Sequence, residues 1–270
     1  MVMLIAGDNA AVTPQGTALL KLLDLSAGEA LAAEVRAKFP LAQRRIVVRK
    51  PFIRMQLNAL ATASPQRALQ LVSAGAGLSP LAIDWCVQHP EARAFELDIE
   101  HMVQKRRVID QVADRSVAAR IQCIQCDLTD PAASVRALRA EGWRDDSPSL
   151  WVVEGLAYYI TQEALAALLH LALSAHADSR AIVEFSGDQS ALCGSALHET
   201  REYHSLIRQL VGAHALTAVD LNALASAAHA SVERCFHPME MERLLGIDPI
   251  HHKPEESAMR IALLAPQSNR

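Results

Sequence analysis

Residues 71–77 read Leu-Val-Ser-Ala-Gly-Ala-Gly, with Leu78-Ser79-Pro80 directly behind, and the next apolar run closes on Glu96 and Asp98. Gly75 and Gly77 allow a sharp turn and a close backbone approach to a ligand, because no Cβ stands in the way. Ser79 followed by Pro80 predicts an N-cap and a first-turn proline, so a helix is expected over 79–88. Asp98 falls about twenty residues beyond the turn, where a carboxylate at a strand end accepts hydrogen bonds from both hydroxyls of a ribose. That is the chemistry of holding an adenosine-bearing cofactor. A dinucleotide site wants a third glycine shortly after Gly77, to leave room for a pyrophosphate, and the chain has Pro80 there. A further β-like run from Arg120 to Cys126 leads into Asp127, an edge position suited to the exocyclic amine of adenine. A ribose acid, an adenine-edge acid and no phosphate site favour S-adenosylmethionine over NAD.

Bringing these residues to one edge requires strands and helices in alternation. The pattern gives strand 69–73, helix 79–88, strand 93–97, helix 100–112, strand 120–125, helix 131–141, strand 149–154, helix 161–176 and strand 180–185. It predicts an α/β fold built on a parallel, Rossmann-like doubly wound sheet. Ahead of it, residues 14–38 are helical in pattern, broken around Leu25-Ser26-Ala27-Gly28, and another helix is expected over 51–66, so 1–66 read as a helical N-terminal region. After the fifth strand, residues 188–230 carry two helical stretches, followed by β-like runs 231–236 and 258–265. An insertion at that point is placed to cover the carboxyl ends of the strands, where ligands of open α/β sheets bind, which makes 188–230 the candidate lid. The chain, 1–270, is expected to form a single domain.

Composition narrows the partners. The formal net charge of -4 gives no long-range attraction for nucleic acid or an anionic membrane. The basic clusters Arg44-Arg45 and Lys105-Arg106-Arg107 are short and read as solvated faces. No apolar run approaches a membrane span, and the opening Met-Val-Met-Leu-Ile-Ala meets Asp8 too early for a signal sequence, so a cytoplasmic location is expected. Five cysteines, an odd number, suit a reducing compartment. Cys123 and Cys126 have CxxC spacing but fall in an expected strand on opposite faces, which favours a core role; no metal site is expected.

Four segments in order carry a family resemblance: Ser73-Ala-Gly75-Ala-Gly77-Leu78, Phe95-Glu96-Leu97-Asp98, Asp127-Leu128, and Trp151-Val-Val-Glu154-Gly155-Leu156-Ala-Tyr158-Tyr159-Ile160. Over roughly residues 50–185 the chain resembles the leucine carboxyl methyltransferase family. Its members use S-adenosylmethionine to esterify a protein C-terminal carboxylate, and bacterial relatives methylate oxygen atoms of polyketides and other small molecules. The resemblance implies a class I methyltransferase fold. It also implies Gly75 against the methionine part of the cofactor, Asp98 on the ribose, Asp127 and Leu128 around the adenine, and Glu154 near the cofactor's amino group. Arg54 stands where the family has an arginine that pairs with the cofactor carboxylate. Two departures bear on the acceptor. Ser79 replaces the family's usual Asp, and the family's opening segment before the arginine is not recognisable, which disfavours a protein C-terminus as substrate.

The expected function is therefore O-methylation of a small molecule, at a carboxylate to give a methyl ester or at a hydroxyl, in secondary metabolism. The alternatives are a non-catalytic S-adenosylmethionine-binding subunit, a protein C-terminal carboxyl methyltransferase, and an NAD-dependent oxidoreductase, which Pro80 argues against. A carboxylate acceptor needs no base at neutral pH, whereas a hydroxyl needs one. His198, Tyr203, His204 and His237 are the candidates for that base, with His204 preferred. Tyr158 and Tyr159 follow Glu154 and should project into the crevice, where Tyr159 is the candidate to line the acceptor pocket.

Overall fold

The computed structural model of the chain describes residues 1–63, 69–211 and 218–267. Among them, seven strands form one sheet: β1 (Gln70–Ala74), β2 (Arg93–Asp98), β3 (Ile121–Gln125), β4 (Ser149–Val153), β5 (Arg180–Ser186), β6 (Ala230–Phe236) and β7 (Met259–Pro266). Their order is β3-β2-β1-β4-β5-β7-β6. The first five run parallel, and β7 is antiparallel to both β5 and β6. The sheet is thus the expected doubly wound one, with each expected strand present to within two residues at either end.

The central strands β1, β4 and β5 are buried on both faces because helices cover both sides, whereas the edge strand β6 is exposed from Ser231 to Cys235. On one side Leu71, Ala94, Ile121, Leu150, Val152 and Ile182 pack in a cluster with α2 (Pro14–Leu22), α4 (Pro40–Ala63), α5 (Leu81–Gln88) and α6 (Met102–Val112). On the other, Val72, Phe95, Ile124, Trp151, Val153 and Val183 pack with α8 (Pro131–Ala140), α9 (Gln162–Ser174) and α11 (Leu221–Ala227). The two sets interleave along every strand, which is the period-2 signature of an extended chain. A smaller cluster joins α1 (Val2–Ala6) and α3 (Glu29–Lys38) to the N-terminal half of α4. The remaining helices are α7 (Arg115–Ala118), α10 (Gly194–Val211) and α12 (Pro238–Leu244). The chain chooses its helix starts with side-chain caps: Thr13, Asp130, Thr161 and Asp220 each accept from a backbone N–H of the first turn of α2, α8, α9 and α11.

Two of the helix starts that differ from the sequence bear on the site. α4 does not begin at Pro51 but at Pro40, and it runs through Pro51. A mid-helix proline removes one hydrogen bond and crowds the preceding turn. Here burial of Val48, and of Phe52 and Ile53 against the sheet, holds the helix continuous across it. The expected end of that helix, 64–66, lies outside the described residues, as does 212–217 of the candidate lid. α5 begins at Leu81 with Pro80 as its N-cap residue, and Ser79 makes no capping bond. Among the described residues no helix is long and apolar enough to cross a membrane, and no group of His, Cys, Asp and Glu could hold a metal ion.

Candidate active site

β1 and β4 are neighbours whose chain connections leave in opposite directions across the sheet, so a crevice opens between their carboxyl ends. The glycine turn leaves β1 at this point. Gly75 and Gly77 have φ of 72° and 47°, left-handed backbone that glycine adopts without strain. A Cβ on Gly75 would come within 2.9 Å of Leu156 Cβ, whereas one on Gly77 would meet nothing within 4 Å. The turn is therefore pressed against β4's exit on one side and open on the other, which is the form of a cradle for a ligand. It is tied to β2 by the Gly75 and Ala76 amides, both donating to the Leu97 carbonyl at 2.9 and 3.1 Å.

Asp98, at the end of β2, accepts from the Gly77 amide at 2.7 Å through Oδ2. Its carboxylate thus stands beside the turn, half-buried, with Oδ1 making only a 3.4 Å contact to the Glu100 amide. Beneath the turn, Lys105 Nζ donates to the Gly77 carbonyl at 3.0 Å and to Glu96 Oε1 at 2.7 Å. Glu96 and Lys105 are both buried, so Lys105 is no part of a solvated basic face. Its stem is long enough to reach inward from α6, where it meets a counter-charge on β2.

At the end of β4, Glu154 turns into a denser network. Arg49 Nε donates to its Oε1 at 2.9 Å and Lys50 Nζ to its Oε2 at 3.0 Å. Burial alone would raise the Glu154 carboxyl, but the Lys50 ammonium and the Arg49 guanidinium outweigh it and hold it at about 2. Arg49 also reaches Glu184 of β5 at 3.4 Å, and Glu184 Oε2 accepts from the Gly155 amide at 2.8 Å. The Tyr158 hydroxyl donates to Glu184 Oε1. Lys50 additionally donates to Ser79 Oγ at 3.2 Å, so that hydroxyl, one residue ahead of the N-cap, belongs to the site network.

A cavity of about 330 Å³ opens onto these groups. Its floor is the glycine turn, Glu154, Gly155 and Glu184; its walls come from α4, from residues 1–3, and from Thr200, Tyr203, His204 and Ile207 of α10. The segment expected as a lid thus contributes one wall. Of the residues expected from sequence, Gly75, Gly77, Glu154, Tyr158, Tyr159, Tyr203 and His204 line this cavity. Tyr159 is 48 % exposed at its mouth, while Tyr158 is buried against Glu184. Burial, helped by the nearby Arg45 and Arg208, lowers the His204 imidazole to about 4, so it is neutral at pH 7. His198 is exposed beside Glu202, and His237 sits at the start of α12; neither lines the cavity.

Arg54 is elsewhere. Its guanidinium donates to the Ala10 and Asn9 carbonyls and fastens the N-terminal segment, while Arg49 and Lys50, one turn earlier on α4, face the cavity. Asp127 and Leu128 stand past the end of β3 but outside the cavity wall. Asp127 accepts from the Thr129 amide and hydroxyl at 2.9 and 2.7 Å, closing a local turn, and Leu128 is packed in the core. Arg45, expected on a solvated face, is buried and lines the cavity. Sequence reasoning does not single out Arg45, Arg49, Lys50 or Glu184 as site residues. The 45/49 spacing marks one helix face, a signal that is visible only if α4 is extended back across Pro51. Cys123 lies 3.7 Å from Glu96 and Cys126 3.8 Å from the Ser134 hydroxyl, so the CxxC pair is packed into different surroundings.

Comparison with known proteins assigns the family. The model of the leucine carboxyl methyltransferase family matches residues 10–172, more than half of the chain. A Mycobacterium avium (strain 104) protein described as an S-adenosyl-L-methionine-dependent methyltransferase is 33% identical over 103 residues, 38% of this chain and 32% of its own length. The match thus spans about a third of that relative's length. Among solved structures, a Thermobifida fusca protein described as a methyltransferase superposes with a TM-score of 0.68 at 16% identity, covering 97% of each chain. Magnesium protoporphyrin IX methyltransferase from Synechocystis PCC 6803, solved with bound S-adenosylhomocysteine, gives 0.50 at 16% identity over 88% of this chain and 95% of its own. These two likenesses establish the fold, a class I methyltransferase sheet. The matched segment contains the glycine turn, Asp98 and Glu154, and the chain belongs to the leucine carboxyl methyltransferase family.

Proposed function

We infer that the protein is an S-adenosylmethionine-dependent methyltransferase, and that it methylates an oxygen of a small molecule, a carboxylate or a hydroxyl, as a single-domain cytoplasmic enzyme of secondary metabolism. One observation carries the reading: the cavity joins an open glycine cradle at the end of β1 to a buried, ionised acid at the end of β4. The donor set fits the cofactor. Asp98 beside the turn suits the ribose, Glu154 an ammonium, and the Arg49–Lys50 edge a carboxylate; Arg49 and Lys50 replace Arg54 in that role.

When bound, S-adenosylmethionine supplies the electrophile, a methyl group on a sulfonium. The protein's own residues orient and dehydrate. Holding an acceptor oxygen at attack distance accounts for roughly 7 to 11 kcal/mol of barrier lowering in well-aligned systems, and the α10 wall is the element that excludes water. A neutral imidazole lowered to about 4 is a weak base, so we assign His204 to accepting a hydrogen bond from the acceptor and Tyr159 to bounding the pocket mouth.

Calorimetry with S-adenosylmethionine, S-adenosylhomocysteine and NAD tests the cofactor: binding of both adenosyl ligands and none of NAD is expected, and tight NAD binding alone would sink the reading. Incubation with methyl-labelled cofactor and a panel of acids and phenols tests the activity. Transfer of label to an oxygen is expected, and cofactor binding with no transfer to any acceptor would favour a non-catalytic subunit.

A further inference from the structure

Arg45, Arg49 and Lys50 project from one helix into the same cavity wall, but their surroundings differ. Glu154 and Glu184 neutralise Arg49 and Lys50. Arg45, one turn earlier, is 8% exposed, and among the described residues the ion pairs of this stretch of α4 belong to Arg44, Arg49 and Lys50, not to Arg45. Its described contact is the face of Tyr203, with Cζ 6.0 Å from the ring centroid. A mostly buried guanidinium that meets solvent only through the cavity, with no counter-charge beside it, is unfavourable, and a ring face offsets only part of the penalty. Thr200 in the same wall has its hydroxyl buried with no hydrogen-bond partner. Thr200, Tyr203 and His204 occupy one face of α10 at spacings of three and four.

These donors suit one kind of anion. A single guanidinium presents a planar pair of N–H groups that matches a carboxylate, whereas a phosphate dianion calls for a second unpaired cation, and the two neighbours are already paired. The cofactor's own carboxylate is not the match. Lys50 contacts Ser79 of the glycine loop and Arg49 contacts Glu154, while Arg45 sits roughly 6 Å farther along the helix axis, facing α10.

We propose that Arg45 and Thr200 form a subsite that anchors a carboxylate of the methyl acceptor, and that this carboxylate is not the oxygen methylated. A carboxylate held by a guanidinium has its charge neutralised and is a poor nucleophile, and esterifying it would strand the guanidinium again. The acceptor is therefore a small acid that carries a second oxygen nucleophile. Methyl transfer forms the bond from that oxygen to the methyl carbon and breaks the bond from that carbon to sulfur; S-adenosylhomocysteine leaves, and the hydroxyl proton passes to water. The inference rests on the methyltransferase reading above, and the test separates the two.

The full chain saturated with S-adenosylhomocysteine is titrated with benzoate, with benzyl alcohol as the neutral probe of like shape, and with inorganic phosphate. Benzoate is expected to bind at least about tenfold more tightly than benzyl alcohol or phosphate. Arg45→Met should lose about tenfold or more of the benzoate affinity while S-adenosylhomocysteine binds within about twofold of the parent. Thr200→Val, which keeps shape and removes the hydroxyl, should weaken benzoate by a smaller factor and serves if Arg45→Met does not fold. Equal binding of benzoate and benzyl alcohol, or benzoate affinity unaltered in both variants, overturns the subsite. Loss of S-adenosylhomocysteine binding in Arg45→Met would put Arg45 on the cofactor and overturn it too. With methyl-labelled cofactor, benzoate should give no methyl benzoate; ester formation that disappears with Arg45 would make the bound carboxylate the reacting one. Failure of S-adenosylhomocysteine to bind the parent protein would instead break the underlying reading.

Discussion

Glu96 and Lys105 form a closed pair beneath the glycine turn, whereas Arg49, Lys50, Glu154 and Glu184 form a network open to the cavity beside it. Both clusters are withdrawn from water, and both carry a desolvation cost that good geometry must offset. In the closed pair every charge has one partner, and the spare hydrogen bond of Lys105 goes to the Gly77 carbonyl. Its product is a fixed turn. In the open network two cations and two acids share partners along the cavity floor, so a zwitterionic ligand can enter the exchange without leaving a charge stranded. Burial of charge alone therefore does not mark a binding site; access to a cavity does.

The largest effect that would test this contrast is on stability. Lys105→Met should destabilise the fold by about 3 to 5 kcal/mol, because Glu96 is left as an uncompensated buried charge. Urea unfolding measures it, and a loss below about 1 kcal/mol would show that the pair is not a brace. A charge-assisted hydrogen bond is worth about 1.5 to 3 kcal/mol, so Glu154→Gln and Asp98→Ala should each weaken S-adenosylhomocysteine binding by about tenfold to a hundredfold. Calorimetry decides, and unchanged affinity in Asp98→Ala would show the ribose assignment to be wrong. Lys105→Met, by contrast, should alter affinity only through the turn, so its folded fraction should retain measurable binding.

The smallest effect concerns pH. The His204 imidazole is lowered from 6.5 to about 4, so the unfolded chain takes up a proton there before the folded one does. Stability is then lost as pH falls from about 6.5 to about 4. Glu154 is lowered from 4.5 to about 2, and the stability it contributes is full above 4.5 and lost as pH falls through 2. His204→Gln should flatten the upper window and Glu154→Gln the lower one. The other lowered histidines, His89, His237 and His251, act in the upper window as well, so the readout is the difference between variant and parent in unfolding free energy across pH.

Much of the frame is legible in the amino-acid sequence. Strand limits such as 180–185 against Arg180–Ser186 agree closely because apolar β-branched runs between turn residues are a local signal. Helix starts are less legible. Pro51 reads as a beginning only when the burial of Val48 and Phe52 is unknown, and Ser79 reads as a cap although it stands one residue ahead of the N-cap and its hydroxyl accepts from the Lys50 ammonium 3.2 Å away. The site divides in the same manner. Gly75, Gly77, Asp98 and Glu154 stand at strand ends that periodicity locates. Arg54 and Arg49 lie at similar distances in sequence from the turn, and only the packing of α4 separates the one that fastens the N-terminal segment from the one that faces the cavity.

The sequence by itself determined the alternation of strands and helices, the glycine turn, and the acids that follow β2 and β4, since each depends on backbone conformation and on side chains within a few residues. Only the tertiary structure decided which cations meet those acids, and which one does not. Arg49 and Glu154 are 105 residues apart, and Arg49 and Glu184 are 135 apart. Their pairing exists because β1, β4 and β5 lie side by side and α4 crosses their carboxyl ends. Among the described residues Arg45 is left without an ion pair for the same reason: the α10 side chains that share its cavity wall are Thr200, Tyr203 and His204, and the Glu199 carboxylate of α10 accepts from the Ala42 amide instead.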